Sequence, residues 1–506
     1  MKKKGEHWAD QAVARLLERG KAHHISTGIS PSGEIHVGHL REVVTADAIH
    51  RVLREQIRDV RFHYFADNTD PLRKVYPFLD KAIYEEHVGK PLFSIPCPCK
   101  RHDSYADHYL EPFIAGLKAL RIEVEILKSH ELYASGRFNR VILAALEGTE
   151  KIKEILHEAT GKQMGESWSP FNPLCSSCGR ITGTTVTGYS AADETVSYAC
   201  DCGFSGTGPL AGGGKLTWRV DWPARWHALG VTCEPFGKDH ATRGGSYDTG
   251  ARIIREVFGG EPPFPVVYEW ISLRGRGDMS SSKGNVLSIG DMLEVVPPEI
   301  LRYMIIRVRP GKSITFDPGI PLIQLIDEFD RLELSGQIDR NIELSRAGGF
   351  VPSGIPFRHI VTIYQIAGGD LDTVLEILER SGYKAEDVSE IQSRLTYAGV
   401  WLDRFAPDDM KFNLQQSLPD AVSTLSEDQR KALGLLANRL QQGMSAEDIH
   451  QLIYDVAGEA GLPGAGLFKA IYLALLGQEK GPRAGWFISL LDHAFVVARL
   501  HEAAEE

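Results

Sequence analysis

The segment that most restricts the possible folds runs from residue 22 to residue 56. It begins with a short β-like run, AHHIST, and continues through a turn rich in Gly, Pro and Ser. A helical pattern follows, with Val37, Leu40 and Val43 on one face. A second β-like run, RDVRFHYFAD, occupies residues 58–67. Strand, turn, helix and strand in this order predict the opening of a parallel α/β sheet that binds a nucleotide.

The α/β pattern is interrupted in the middle of the chain and ends before the last third. Six of the seven cysteines lie within residues 96–215, and the pattern resumes at Leu216. Beyond about residue 320, β-like runs almost disappear, and Ser426 with Gln429 predicts a capping box ahead of a helix. We therefore predict one sheet that is completed after an insertion, followed by an all-α domain.

Charge and hydropathy exclude several classes of protein. The net charge of -11 argues against a surface coated with basic residues, although the run LRYMIIRVRPGK at 301–312 is locally cationic and is open to two interpretations, RNA contact or a solvated helix face. The most apolar late stretch is broken by Asp492 and His493 and is shorter than the roughly 20 residues that a membrane span needs. The first residues lack the apolar run of a signal peptide. We expect a cytoplasmic protein without a membrane partner.

Four cysteines are spaced as two metal-binding knuckles. Cys175-x-x-Cys178 and Cys200-x-Cys202 are each followed by glycine, which permits the tight turns that aim sulfur atoms at one point. Four thiolates leave no open coordination position, so we predict a structural rather than a catalytic Zn²⁺. Two disulfides are the alternative, which the expected intracellular setting disfavours.

A second candidate cluster precedes these knuckles. Cys97-x-Cys99-x-x-His102, with His108 further along a helix-like stretch, supplies two sulfurs and two imidazoles, again a complete tetrahedral set. The alternative is a loop with incidental cysteines and a surface histidine. We therefore expect one structural zinc, with a second site open.

The turn before the first helix has the composition of a phosphate site. Backbone N–H groups at a helix start are unpaired and the helix dipole is positive there. His36 and His39 add imidazole donors, and Gly38 lets a planar base lie close to the backbone, although two such histidines alone are more often structural or surface groups. A second run, DMSSSKGN at 278–285, is alone typical of an exposed turn. Together with the first it can close over a triphosphate, with Lys283 where charge develops as pyrophosphate leaves.

The two runs resemble the HIGH and KMSKS signatures of class I aminoacyl-tRNA synthetases. Residues 36–39, HVGH, nearly reproduce the first signature, whereas in the second Asp278 stands at the place of the first lysine and Lys283 is displaced by two residues. Asn68 departs from a family pattern that often carries an acid there. Five motifs in order resemble the archaeal-type class I lysyl-tRNA synthetases: TGISPSGEIHVGH, FADNTDPLRKVYP, WRVDWPARW, GKDHATRGGSYD and YEWISLRGRGDMSSSKGN.

The resemblance implies an α/β Rossmann-type class I synthetase catalytic domain with a zinc-binding insertion, followed by an all-α C-terminal helical cage that binds the anticodon. The implied domains are the first half of the Rossmann domain at 1–95, the zinc-binding insertion at 96–215, the second half of the Rossmann domain at 216–277, the KMSKS-like loop with a stem-contact region at 278–350, and the anticodon-binding domain at 351–506. The implied catalytic residues are His36, His39 and Lys283, and the implied ATP-binding residues are Pro31, Gly38, Met279, Ser280, Ser281 and Ser282.

The residues around the pocket indicate the amino acid. Glutamyl and glutaminyl relatives carry an arginine where Ser26 stands, and its loss removes the partner of a substrate carboxylate. Aromatic walls with interleaved acids instead suit an alkyl stem that ends in ammonium. Core packing is the alternative for each aromatic residue, and bracing of a strand end is the alternative for Asp221. The resemblance implies Gly28, Ser30, Trp218, His240 and Tyr268 as lysine-binding residues, and the interleaved acid Asp221 is a further candidate.

The implied reaction is ATP-dependent ligation of L-lysine to tRNA(Lys) through a lysyl-adenylate, with Mg²⁺ brought by ATP. We expect a monomer whose insertion meets the acceptor end, whose 301–312 run meets the inner stem and whose helical cage reads the anticodon. The alternatives are another class I synthetase of the glutamyl/glutaminyl subgroup, a small-molecule nucleotidyltransferase, and a non-catalytic RNA-binding relative. The all-α last third disfavours the second, and the intact signature residues disfavour the third. The candidates for base contacts, each with core packing as its alternative, are Trp401, Arg404, Phe405 and Trp486.

Overall fold

The computed structural model describes residues 7–275, 277–278, 286–337, 339–384 and 387–506. The predicted region at 278–350 is divided between two compact units of the chain rather than forming a region of its own. The first unit comprises Met1–Leu293, Pro297–Phe316 and Ile338–Phe350, and the second comprises Glu294–Val296, Asp317–Gln337 and Val351–Glu506.

A parallel sheet organises the first unit. The strands, in chain order, are β1 (His23–Ile29), β2 (Val60–Ala66), β3 (Glu125–Lys128), β4 (Phe171–Pro173), β5 (Thr184–Ser190), β6 (Thr195–Cys200), β7 (Ser205–Pro209), β8 (Gly214–Leu216), β9 (Cys233–Gly237), β10 (Phe264–Tyr268), β11 (Ile271–Leu273), β12 (Gly277–Asp278) and β13 (Ile314–Phe316). The main sheet has the order β10-β9-β1-β2-β3 and is parallel throughout. The order reverses between β1 and β9, and ligands bind at the carboxyl end of such a reversal.

Helices cover this sheet and form the second unit. In chain order they are α1 (Trp8–Leu17), α2 (Leu40–Gln56), α3 (Lys81–Tyr84), α4 (Tyr105–Ala119), α5 (Ser129–Ala134), α6 (Asn139–Glu147), α7 (Thr149–Thr160), α8 (Trp218–Leu229), α9 (Ser246–Glu256), α10 (Ile289–Leu293), α11 (Pro298–Ile306), α12 (Ile320–Leu334), α13 (Arg340–Ser345), α14 (Phe357–Ala367), α15 (Leu371–Arg380), α16 (Val388–Arg404), α17 (Glu427–Arg439), α18 (Ala446–Glu459), α19 (Gly464–Leu476), α20 (Ala484–Leu490) and α21 (His493–Glu505). Helix α2 follows β1 and is buried along most of its length, because β1, β9, α1 and α11 all pack against it.

Within the predicted insertion at 96–215, the strand β3 belongs to the main sheet. The true excursion begins after β3, at Ser129, and ends at Lys215. Ser129 Oγ accepts a hydrogen bond from the Thr69 N–H at 2.9 Å, and Lys215 Nζ lies 2.7 Å from Asp67 Oδ1. Both ends of the excursion therefore meet one polar cluster at the end of β2. Between them β4 pairs with β8, and β5, β6 and β7 form an antiparallel sheet.

The second unit is all-α within the described residues, as predicted. Its core is aliphatic and is formed mainly by α17 to α21. The predicted capping box is confirmed: the side chains of Ser426 and Gln429 each accept a hydrogen bond from the backbone N–H of the other. Among the described helices none is alone long and apolar enough to cross a bilayer, while one bent pair, Ala446–Glu459 with Gly464–Leu476, passes that test jointly, at 114° to each other.

Arg302 does not have the RNA-contact role that was predicted for the run at 301–312. It is fully buried, because α11 is packed on all sides, and its Nη2 donates to Asp47 Oδ2 at 2.5 Å and to Leu344 O at 2.7 Å. Its Nε donates to Ser345 O at 3.1 Å. Arg302 therefore stabilises the first unit and does not contact RNA. The basic residues of this run that are exposed are Arg307, Arg309 and Lys312.

Replacing Arg302 by methionine should destabilise the first unit, because Asp47 would lose a buried partner and buried carbonyl groups would lose their donors. We expect the free energy of unfolding to fall by about 3 kcal/mol in denaturant titrations followed by circular dichroism. Arg54→Met removes an exposed ion pair with Glu123 and should cost less than about 1 kcal/mol. Equal losses in the two variants would contradict a structural role for Arg302.

Candidate active site

The histidine turn lies at the carboxyl end of β1, where the strand order reverses. Residues Val37–His39 form a 3₁₀ turn that leads into α2. His36 Nδ1 accepts a hydrogen bond from the Gly38 N–H at 3.1 Å, and His39 Nδ1 accepts one from the His36 N–H at 3.1 Å. The two ring centroids are 4.0 Å apart. The turn therefore holds both predicted catalytic imidazoles side by side at the start of a helix.

Both imidazoles are neutral near pH 7. Burial lowers the pKa of His36 to about 4, and burial together with the neighbouring His36 lowers the pKa of His39 to about 3. Because each Nδ1 already accepts a backbone hydrogen bond, the proton of each neutral ring is assigned to Nε2. The turn therefore offers two uncharged N–H donors where the helix dipole attracts phosphate.

The chain around the predicted KMSKS-like loop is joined to the histidine turn. Val37 N–H donates to Leu287 O at 3.0 Å, and His36 and Ser288 form an antiparallel bridge. On the other side of the loop β12 pairs with β11, which packs against the histidine turn. The segments on either side of the KMSKS-like loop therefore contact the histidine turn. The predicted loop residues Met279, Ser280, Ser281, Ser282 and Lys283 lie outside the described residues.

Gly28 and Tyr268, two predicted lysine-binding residues, both donate hydrogen bonds to a carboxylate that was not predicted from the sequence. Gly28 N–H donates to Glu42 Oε1 at 2.7 Å, and the Tyr268 hydroxyl donates to Glu42 Oε2 at 2.9 Å. Glycine is required at position 28, because a Cβ there would lie 2.5 Å from the carbonyl oxygen of Phe65. Glu42 lies in the first turn of α2, three residues after His39. This spacing on a helix could have indicated that Glu42 lies near the signature histidines.

Trp218 and His240, also predicted to bind lysine, belong to an aromatic cluster at the start of α8 and the end of β9. The rings of Trp218 and Trp222 stack with centroids 5.3 Å apart, and His240 lies 5.9 Å and 5.3 Å from them. Trp218 is 38% exposed, whereas Trp222 is buried. Core packing, the alternative interpretation, therefore describes Trp222 and not Trp218. In the turn after β1, Ser30 is half-buried and Pro31 is buried.

Asp221, the remaining predicted lysine-binding residue, forms an ion pair and a hydrogen bond with other residues of the protein. It is fully buried, pairs with Arg225 and accepts a hydrogen bond from the Tyr133 hydroxyl at 2.5 Å. Arg225 also pairs with Asp67, and its guanidinium lies 5.5 Å from the Trp218 ring. This arrangement corresponds to the bracing role that the sequence left open for Asp221. Arg225 was not predicted from the sequence, although its spacing of four residues from Asp221 in a helix was a signal.

The first predicted metal cluster has the spacing of a tetrahedral site. A zinc ion with Zn–S near 2.3 Å and Zn–N near 2.1 Å separates its ligand atoms by about 3.4–3.8 Å. Cys97 Sγ lies 3.4 Å from Cys99 Sγ and 3.3 Å from His102 Nδ1, and the Nδ1 atoms of His102 and His108 are 3.4 Å apart. These four residues could hold a metal ion.

The four-cysteine cluster also has the spacing of a tetrahedral metal site. The Sγ atoms of Cys175 and Cys202 are 3.7 Å apart, as are those of Cys178 and Cys200. All four sulfurs lie within 4.8 Å of one another, and all are free thiols, which argues against the disulfide alternative. In each of the two predicted ligand sets, the four residues therefore lie together as predicted.

The predicted anticodon-contact residues differ in accessibility. Trp401 is 1% exposed and its indole N–H donates to a backbone carbonyl at 2.8 Å, so packing explains it. Arg404 is exposed and Phe405 is half-buried. Trp486 lines a cavity of about 520 Å³, and its ring centroid lies 5.2 Å from that of His359. Of the two tryptophans, Trp486 is the more accessible.

Two family models together match most of the chain. The family model described as tRNA synthetases class I (K) matches residues 6–345, and the model for an anticodon binding domain matches residues 373–504. Together with the parallel sheet and the helical second unit, these matches confirm the predicted fold class.

Individual relatives match along nearly the full length. Lysine–tRNA ligase 1 of Methanosarcina acetivorans is 50% identical over 98% of this chain and 98% of its own. The lysine–tRNA ligase of Archaeoglobus fulgidus is 49% identical over 98% of this chain and 100% of its own. A solved structure of a glutamate tRNA ligase from Elizabethkingia meningosepticum matches with a TM-score of 0.43 at 13% identity, over 96% of this chain and 99% of that chain.

The two signature histidines should remain neutral across the physiological pH range. Since their pKa values are about 4 and about 3, protonation occurs only well below pH 5. Imidazole ¹⁵N chemical shifts of His36 and His39, assigned with single His→Gln variants, should therefore show Nε2-protonated neutral rings from pH 8 to pH 5. A titration midpoint near 6.5 for either ring would contradict the buried arrangement.

Proposed function

The chain belongs to the class I tRNA synthetases, among the lysine–tRNA ligases, and from that premise we propose that it ligates L-lysine to tRNA(Lys), with ATP as the energy source and a lysyl-adenylate as the intermediate. The observation that carries the proposal is the meeting of two signature segments: the turn with His36 is hydrogen-bonded to Leu287, directly after the KMSKS-like loop. ATP and lysine thereby receive adjacent positions at the carboxyl end of one parallel sheet.

In the first step the lysine carboxylate attacks the α-phosphate of ATP, and the bond to the β-phosphate breaks to release pyrophosphate. In the second step a ribose hydroxyl at the tRNA 3′ end attacks the adenylate carbonyl and AMP leaves. ATP enters as its Mg²⁺ complex. The protein positions the reactants and stabilises developing charge. His36 and His39 donate Nε2–H groups to phosphate oxygens, Gly38 gives room for the base, and Lys283 stabilises the departing pyrophosphate.

The amino-acid pocket favours lysine over glutamate or glutamine. Ser26, at the place of the arginine in glutamyl and glutaminyl relatives, is buried and hydrogen-bonds the Glu234 carboxylate. A substrate carboxylate would meet this acid, with serine in place of the arginine that could pair with it. Trp218 and His240 offer aromatic walls to an alkyl stem and a cation.

The second unit is proposed to bind the tRNA anticodon. It carries the anticodon binding domain match, and Trp486 offers a stacking surface for an unstacked base. The exposed Arg307, Arg309 and Lys312 of the first unit supply positive charge for the tRNA backbone. A monomeric chain in the cytoplasm suffices for this reaction.

Both cysteine-containing clusters are proposed to hold structural Zn²⁺. Thiolate and imidazole are the ligands that zinc prefers, and each cluster supplies four of them at tetrahedral spacing. Neither cluster has an open position for catalysis, so each zinc would fix loops. The first cluster lies before β3, and the second lies in the excursion that we propose faces the tRNA acceptor end. Each ion would crosslink short segments of the chain that carry its four ligands.

The purified chain should contain two equivalents of zinc by mass spectrometry after dialysis against metal-free buffer. Cys99→Ser and Cys178→Ser should each lose one equivalent, because each removes a thiolate from a different cluster. Cys233→Ser is the matched control, since Cys233 is a buried thiol outside both clusters, and it should keep two equivalents. One equivalent in the unaltered protein would reject the cluster at Cys97.

ATP–pyrophosphate exchange with each of the twenty amino acids, with and without total tRNA, tests the proposed function. Exchange should be stimulated by lysine at least about 100-fold more than by glutamate or glutamine, because the pocket is acidic. Dependence on added tRNA would show that activation needs the bound nucleic acid. Stimulation by glutamate instead of lysine would assign the chain to the alternative subgroup.

A further inference from the structure

Three aromatic residues, which we call the Phe78 cluster, come from the segment between β2 and α4 and from α4 itself. The rings of Tyr76 and Phe78 stack with centroids 5.5 Å apart and planes inclined by 8°. Tyr109 of α4 meets Phe78 edge-on, with centroids 6.2 Å apart. Phe78 is 43% exposed. Two neighbouring rings therefore hold an exposed ring in place, and its open surface can stack with a planar ligand.

The Phe78 cluster has a buried base, but Phe78 itself lies outside the core. Tyr76 and Tyr109 pack against a buried apolar group of residues that includes Leu79 and Tyr105. Leu79, the residue after Phe78, is only 8% exposed and fills the core from this part of the chain. Core packing therefore does not account for an aromatic side chain at position 78.

The segment that carries the Phe78 cluster contacts both the excursion and the turn that leads to the signature histidines. Gly89 O accepts a hydrogen bond from the Ile181 N–H, within the excursion, at 2.9 Å. The Tyr105 hydroxyl donates to Ser32 O at 2.7 Å, and the rings of Tyr105 and Tyr109 are 5.1 Å apart. A strand of nucleic acid that leads from the excursion to the histidine turn would therefore pass this segment.

Exposed cations adjoin the Phe78 cluster. The Nζ atom of Lys74, an exposed residue, lies 5.8 Å from the centroid of the Tyr76 ring. Lys100 is exposed in the loop of the first metal-ligand cluster, and the ring of His108 from that cluster lies 4.6 Å from the ring of Tyr109. Exposed aromatic faces with cations beside them match the base faces and phosphates of a single-stranded nucleic acid.

We propose that Phe78 stacks with an unpaired base at the 3′ end of tRNA. This inference rests on the proposed function and adds a binding residue for its second substrate. The 3′ end of tRNA is single-stranded, so its bases can present their faces to an aromatic side chain. Stacking on Phe78 restricts the movement of the strand and thereby holds the terminal ribose near the histidine turn, where its hydroxyl attacks the adenylate.

The test measures the dissociation constants of the full-length chain for intact tRNA(Lys) and for tRNA(Lys) that lacks its unpaired 3′ nucleotides, by filter binding. Phe78→Ala and Phe78→Leu should each weaken binding of intact tRNA about 10-fold and change binding of the truncated tRNA less than about twofold, because only the intact form carries the stacked base. Phe78→Trp keeps a stacking face and should bind both forms within about threefold of wild type.

Ile83→Ala is the matched control. Ile83 belongs to α3 in the same segment and is also 43% exposed, but it has no aromatic face. Its replacement should change neither dissociation constant by more than about twofold. Because Ile83 is aliphatic and equally exposed, this control separates base stacking from a general loss of apolar surface.

The remaining outcomes would overturn the proposal. Equal weakening of both tRNA forms would mean that Phe78 acts on another part of the tRNA or only on the fold, and wild-type affinity in Phe78→Leu would mean apolar contact without stacking. A rise in the KM for ATP, with tRNA binding unchanged, would assign the ring to the base of ATP. If Phe78→Ala does not fold, Phe78→Leu decides alone. Failure of the wild-type chain to attach lysine to tRNA would instead reject the proposed function, whatever the binding data show.

Discussion

One buried guanidinium fixes the start of α2, on which the whole candidate site depends. Arg41 has no exposed surface, and burial lowers its pKa to about 10, so it stays charged near neutral pH. Carbonyl dipoles replace the water that it has lost. Because Arg41 lies between His39 and Glu42, it anchors both the imidazole turn and the carboxylate of the pocket. Its N–H groups donate to the carbonyl oxygens of Ile305, Val308, Arg309, Pro310 and Lys312, at 2.8–3.3 Å.

Two desolvated titratable groups lie one turn apart at the start of α2. His39 and Glu42 are three residues apart, close enough for an ion pair if the imidazole were protonated. Burial keeps His39 neutral and raises the pKa of Glu42 to about 8, so neither group is mainly charged near pH 7. Desolvation thus prevents an ion pair between His39 and Glu42 at the start of α2.

Local signals made much of the fold and part of the site predictable from sequence. The strand, turn and helix around His36 and the ligand spacing around Cys175 are encoded within a few residues, and both predictions hold in three dimensions. Glu42 and Arg225 were missed, because their roles depend on partners from distant strands. Arg302 was misassigned to the surface, since a basic run does not reveal that its helix is packed on all sides. The strand β3 was hidden because four residues between helices carry too little periodicity.

Ser129 and Lys215 both contact the end of β2, so the arm between them leaves and re-enters the catalytic sheet at a single point. The separation of its ends does not depend on how many residues the arm contains, and the entropy of closing a loop grows only slowly with its length. Over evolutionary time the arm is therefore free to grow, shrink or be remodelled while the reacting groups keep their places. Changes within the arm need not disturb the parallel sheet.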